Sequence, residues 1–128
     1  MIRGNHECES VNKNYGFYQE CQERYDSQGQ DVWKVLNRTM ANLPLASLID
    51  EKIFCVHGGL SPNLKFVHDI NKIDRFTKIP DSGVLCDLLW SDPSSNNKGW
   101  THSQRGVSYT YNEKVLDEFM KINNLDLV

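Results

Sequence analysis

Gly4-Asn5-His6-Glu7 sets a flexible backbone unit, a neutral amide, an imidazole and a carboxylate in succession. Glycine lets a chain turn sharply and come close to a ligand. Asn5 can offer a carbonyl oxygen to a metal ion or an amide N–H to an anion. His6 can ligate a metal or pass a proton near neutral pH. Glu7 can steady the loop or accept hydrogen bonds at a helix start. A run this short also recurs by chance, and a helix cap with exposed polar side chains accounts for it equally.

A second candidate is Cys55-Val56-His57-Gly58-Gly59-Leu60-Ser61-Pro62. A histidine leaving a buried strand is held firmly, and the glycines let backbone and ligand approach. The same residues also suit a histidine hydrogen-bonded at a tight turn. Arg105-Gly106 can clamp a phosphate through the planar guanidinium, with Gly106 leaving room for the anion; a lone loop arginine is otherwise simply solvated. Asp92, before Pro93, can accept hydrogen bonds that hold its loop, and Trp90 reads as packing. His68 and His102 stand in polar surroundings and read as surface residues. Asn and His are neutral ligands, whereas hard cations acting on phosphate bring carboxylates with them. No Asp stands beside a Gly or His at an evident strand end, so the sequence holds part of a metal site without its negative charge.

The elements that must position these groups follow from spacing. Tyr15 to Met40 is helical in pattern, with Tyr15, Tyr18, Cys21 and Tyr25 on one face and Val32, Leu36 and Met40 on another. Gly29 is the expected stop between two helices and Asp31 the expected cap of the second. Pro44–Ile49 and Lys52–Val56 predict a hairpin turning at Asp50-Glu51. A short helix is expected around Phe66 to Ile73, and an apolar run covers Val84 to Trp90. Ser91 to Gly99 predicts a surface loop. Val107 to Tyr111 alternates as a strand, Asn112 predicts a helix cap, and the helix runs to about Asn123. Leu125 to Val128 begins another strand, and Met1-Ile2 reads as the end of one.

The chain has 128 residues, enough for one domain with a core, and a net charge of −3 at neutral pH. That balance argues against a nucleic-acid binder, which needs clustered Lys and Arg. No apolar run is long enough to span a bilayer and no signal segment leads the chain, so neither nucleic acid nor membrane is an expected partner. The expectation is a soluble intracellular protein. Cys8, Cys21, Cys55 and Cys86 lie far apart, which fits reduced thiols better than a zinc knuckle. Asn37-Arg38-Thr39 matches a glycosylation sequon, which is incidental without a secretory route.

Taken in order, Arg3-Gly4-Asn5-His6-Glu7, Tyr15-Gly16-Phe17-Tyr18, Asp50 to Pro62, Cys86 to Pro93 and Arg105 to Tyr109 resemble the phosphoprotein phosphatase family of metal-dependent serine/threonine phosphatases. The collinear match runs over nearly the whole chain. The resemblance implies an α/β metallophosphoesterase fold, a β-sandwich flanked by helices, of which residues 1–128 are the central part. It implies two divalent metal ions, manganese or an iron and zinc pair, with Asn5 and His57 ligating one of them. It further implies that a hydroxide activated by the two metals would attack phosphorus, that His6 would be the general acid, and that Arg105 and Asn5 would bind the phosphoryl oxygens. The family's Gly-Asp-x-His-Gly and Gly-Asp-x-x-Asp-Arg-Gly motifs, which carry most of the remaining ligands, and its Arg-Ala-His motif, which carries a further metal-binding histidine, are not among these residues. The expectation is therefore that this chain alone is inactive. A natural truncated binding protein for phosphatase regulatory subunits is the competing expectation.

The implied partners are phosphoprotein substrates and regulatory or scaffold subunits, and the implied location is the cytoplasm, the nucleus or both. Asn5 to Cys8 and Arg105 to Ser108 lean toward the type 1 enzymes, Val56 and Lys72 to Arg75 toward the type 2A group. Gln104 stands where type 1 enzymes have an aspartate.

Overall fold

The computed structural model describes residues 1–96 and 98–128; Asn97, inside the expected Ser91–Gly99 loop, lies outside the described residues. Strand β1 (Ala46–Ile49) and strand β2 (Ile53–Val56) pair antiparallel, with Ile49 opposite Ile53 and Ala46 opposite Val56. Asp50 and Glu51 both take positive φ, 52° and 54°, the handedness that matches the twist of a tight hairpin. On its other side β2 meets the chain end: Ile53 bridges Leu127 in parallel, and the Phe54 N–H donates to the Leu127 carbonyl at 2.9 Å. β2 is thus held along both edges, and His57 follows directly from it. The Met1-Ile2 pair forms no strand; its neighbour Arg3 makes one backbone bond, to the Pro44 carbonyl at 2.8 Å.

Helix α1 (Glu9–Asn12) is a single turn after the first motif, and α2 (Phe17–Tyr25) and α3 (Gly29–Ala41) follow, joined by a 3-10 turn over Asp26–Gln28. Gly29 opens α3 rather than stopping α2. A Cβ there would lie 2.5 Å from the Gln22 Cα and 2.6 Å from the Cys21 carbonyl, so the two helices meet at bare backbone. The break falls instead at Asp26, with φ 46°. α3 buries Gly29, Trp33 and Asn37, not the Val32–Leu36–Met40 stripe. Polar bonding explains the change. Trp33 Nε1 donates to Asn12 Oδ1 at 2.8 Å, Asn12 Nδ2 to Asn37 Oδ1 at 2.7 Å, and Asn37 Nδ2 to the Trp33 carbonyl at 2.9 Å. The sequon asparagine is a buried strut. Tyr15 and Tyr25 are exposed, while Cys21 is buried and Tyr18 meets Trp33 edge-on.

The expected short helix is a 3-10 segment, Val67–Lys72. Helix α4 (Val84–Trp90) buries Leu85, Cys86, Asp87, Leu88 and Leu89 in succession. Seven residues are too few for a stable helix in water. Burial holds this one: each fully buried leucine contributes roughly 1.5–3 kcal/mol. The core around it contains Leu45, Phe54, Leu60, Leu64, Tyr111 and Phe119.

After α4 come β3 (Asp92–Pro93), β4 (Thr101–His102) and β5 (Tyr109–Tyr111), with β5 central, parallel to β3 and antiparallel to β4. Ser91 is fully buried, so the expected surface loop begins one residue later than its composition indicates. Helix α5 (Glu113–Asn123) starts where expected: Asn112 Oδ1 accepts from the Val115 N–H at 3.3 Å. It ends at Asn124, φ 55°. Among the described residues no helix is long and apolar enough to cross a membrane.

Candidate metal and phosphate site

Arg3 anchors the first motif from beneath. Its side chain is buried, with Nε donating to the Glu7 carbonyl at 2.9 Å and an Nη to the Arg75 carbonyl at 3.0 Å. Burial pulls its pKa below the ordinary arginine value, opposed by nearby Cys8 and Glu7. Glu7 reaches back so that its Oε2 accepts the Gly4 N–H at 2.9 Å, and the Glu7 N–H donates to the Gly4 carbonyl at 3.2 Å. Glu7 therefore steadies the loop, one of its two expected roles. A Cβ on Gly4 would lie 2.6 Å from Glu7 Oε2 and 3.0 Å from the His57 ring. The absence of a side chain lets the loop press against that imidazole.

The consequence is a convergence of two side chains from distant parts of the sequence. His57 Nε2 and Asn5 Oδ1 lie 3.1 Å apart, a hydrogen bond when the ring carries its proton on Nε2. The separation also fits a cation. With bonds of about 2.1 Å, neighbouring donors stand about 3.0 Å apart on an octahedron and about 3.4 Å on a tetrahedron. A ring nitrogen and an amide oxygen so placed make one neutral edge of a coordination shell. Among the described residues no three His, Cys, Asp or Glu side chains converge as a metal-binding group.

His6 is exposed and meets the Tyr15 ring at 4.8 Å and 67°, an edge contact that gives the imidazole one preferred face. The glycines after His57 serve packing. A Cβ on Gly58 would lie 2.6 Å from the Leu89 carbonyl carbon and Trp90 N, and one on Gly59 would collide with the Tyr111 hydroxyl. The Gly58 N–H donates to the Leu88 carbonyl at 2.9 Å. The loop leaving His57 is thereby pressed onto the end of α4.

That same end of α4 leads to Asp92, and Asp92 holds Arg105. Arg105 Nε donates to one carboxylate oxygen at 2.6 Å and Nη2 to the other at 3.2 Å. The hydrogen bond and charge of Asp92 raise the arginine's pKa further. Nη1 has no partner among the described residues and is free to meet an anion. Asp92 fulfils its expected role of holding the loop, and Trp90 packs against the core. His68 and His102 are exposed, stacked on Phe66 and Tyr109. The structure thus joins Asn5 to His57 and Arg105 to Asp92, with α4 between the two pairs.

The family profile described as Calcineurin-like phosphoesterase matches residues 1–128. This chain belongs to the calcineurin-like phosphoesterases. Among solved structures, a protein serine/threonine phosphatase from Saccharomyces cerevisiae, described as similar to human phosphatase PP5, matches with a TM-score of 0.86 and 37% identity. The match covers 97% of this chain and 38% of that one, so the chain spans well under half the length of this phosphatase. The α/β metallophosphoesterase fold read from the sequence is the fold observed. Calcineurin-like phosphoesterases use divalent metal ions. The Asn5–His57 edge fits such an ion as two neutral donors of a larger set.

Sequence reasoning missed Asp87. Its carboxyl group is fully buried, accepting from Ser61 Oγ at 2.6 Å and Ser108 Oγ at 2.7 Å. The available signal was a single acid inside the apolar run Val84 to Trp90.

Proposed function

We propose that the protein carrying this chain hydrolyses phosphoserine and phosphothreonine in proteins. The observation that carries the reading is the 3.1 Å approach of Asn5 to His57 beside an exposed imidazole, in a calcineurin-like phosphoesterase similar to a serine/threonine phosphatase. Asn5 and His57 would hold one of two divalent ions, manganese or an iron and zinc pair, which when bound supply Lewis-acid charge and a strong nucleophile at neutral pH.

The chain's own residues do the rest. Arg105, fixed by Asp92, turns its remaining N–H groups to the phosphoryl oxygens, and the Asn5 amide N–H adds a donor. These donors stabilise the charge that builds on those oxygens as the phosphorus is attacked. His6 gives its ring proton to the departing serine or threonine oxygen, and the Tyr15 contact keeps the ring oriented. Its exposure admits a protein substrate rather than only a small buried ester. Regulatory or scaffold subunits would choose among phosphoproteins in the cytoplasm or nucleus.

A phosphopeptide assay with added manganese tests this on two samples: the complete catalytic domain and the 128-residue chain. The complete domain is expected to release phosphate and the chain alone to stay at background, because two neutral donors hold a hard cation weakly. Comparable release by the chain alone would overturn the need for carboxylates. No release by the complete domain would overturn the phosphatase reading and favour a non-catalytic protein that engages regulatory subunits.

A further inference from the structure

Asp87 performs no step above, yet it touches both loops that do. It sits in α4 with none of its surface exposed. One carboxyl oxygen faces Ser61, which closes the loop beginning at His57; the other faces Ser108, which closes the loop carrying Arg105. Both serines are themselves buried, at 2% and 8% exposure. Bonds of 2.6 and 2.7 Å to a carboxylate are charge-assisted and about twice as strong as neutral ones.

Each serine is committed to this contact. Ser61 Oγ accepts the Asn63 N–H at 3.2 Å, which directs its own proton to Asp87. Ser108 sits at φ 64°, a left-handed conformation that costs a non-glycine residue about 1–2 kcal/mol; the bond to Asp87 compensates. The Ser108 carbonyl accepts the Ser103 N–H at 3.1 Å, and Ser103 Oγ accepts the Arg105 N–H at 3.2 Å. A shift at Ser108 therefore passes to Arg105 within its own loop. The α4 backbone touches the first loop as well, its Leu88 carbonyl accepting the Gly58 N–H, and the Asp92 side chain, two residues past α4, holds Arg105.

We propose that Asp87 is a positioning residue that locks the His57 loop and the Arg105 loop to one another through Ser61 and Ser108. Its catalytic meaning rests on the phosphatase reading: the metal edge and the phosphate clamp need a fixed separation, and a displacement near 1 Å costs on the order of a hundredfold in rate. A buried acid satisfied only for core stability would show no such division between loops.

Amide hydrogen exchange in the 128-residue chain reads the lock without turnover. The Gly58 and Ser103 amides report the two loops, the first bonded to the Leu88 carbonyl of α4 and the second to the Ser108 carbonyl across its own loop, and α3 amides serve as reference. Ser61→Ala is expected to speed exchange at Gly58 by roughly tenfold, Ser108→Ala at Ser103, and Asp87→Asn at both, with α3 unchanged. Uniform acceleration including α3, or an Asp87→Asn effect confined to one loop, would overturn the lock. Should Asp87→Asn fail to fold, the serine variants decide alone: each must loosen its own loop and spare α3.

In the complete catalytic domain, Ser108→Ala is expected to raise KM for a phosphopeptide with little change in kcat, and Ser61→Ala to lower kcat with little change in KM. Equal effects in both variants would overturn the positioning role. The expected exchange pattern with no phosphopeptide turnover at all would remove the phosphatase reading and leave the lock standing.

Discussion

Asn5 Oδ1 and His57 Nε2 meet at 3.1 Å across 52 residues of sequence. Nothing local brings them together. β2 is fixed on both edges, the bare backbone of Gly4 admits the imidazole, and the Arg3 and Glu7 bonds keep the Asn5 loop against it. The pair is preorganised by the fold, so a cation arriving there need not order it.

His6 is expected to act on the transition state more than on binding. In the complete catalytic domain His6→Asn should lower kcat by about 10²–10⁴-fold and leave KM nearly unchanged. Steady-state kinetics on a phosphopeptide measure both. A matching loss in binding would remove the general-acid role.

Arg105 should depend on its fork and not only on its charge. Arg105→Lys keeps the charge but cannot hold Asp92 and an anion together. Inhibition by inorganic phosphate should weaken by at least about tenfold in Arg105→Lys and by a smaller factor in Asp92→Asn. The pair is exposed, so neither change should move stability by more than about 1 kcal/mol. An unaltered phosphate inhibition constant in Arg105→Lys would rule out the clamp.

The Asn12, Trp33 and Asn37 strut should be costly to cut. Asn12→Ala leaves a buried indole N–H and a buried amide oxygen unpaired, and the expected destabilisation is about 2–4 kcal/mol. Urea unfolding measures it, and a loss below about 1 kcal/mol would mean that water replaces the asparagine.

Burial, and secondarily the charge of Asp87, push the Cys86 thiol up to about 11. The unfolded chain ionises this thiol first, so it binds fewer protons than the folded chain in this range. Stability is unaffected below pH 9 and falls as pH rises from 9 to about 11, by roughly 2 kcal/mol. Cys86→Ala should flatten that fall in urea midpoints taken across the interval. Cys21 and Tyr111, also raised by burial, leave a residual slope. An identical slope in the variant would exclude Cys86 as a source.

Where structure follows from neighbours in sequence, it was legible. The Asn112 cap and the Asp50-Glu51 hairpin are local patterns, and each is present; of the strand expected over Leu125 to Val128, only the Leu127 bridge to β2 forms. The motif histidine and asparagine were legible as chemistry, but their 3.1 Å meeting is a tertiary fact. Gly29 misled because a glycine between helical runs resembles a stop, whereas here it is the contact between two helices. Asp87 was hidden for a related reason. A lone acid in an apolar run shows its meaning only when Ser61 and Ser108 arrive from either side of it. Ser91 likewise belongs to the core by position and to a loop by composition.

The most direct test compares wild type with His57→Ala in the complete catalytic domain, following phosphate release from a phosphothreonine peptide with manganese supplied. Metal-dependent release is expected in the wild type, with a loss of at least about a hundredfold in the variant. Release that persists in His57→Ala would contradict the site built on Asn5 and His57.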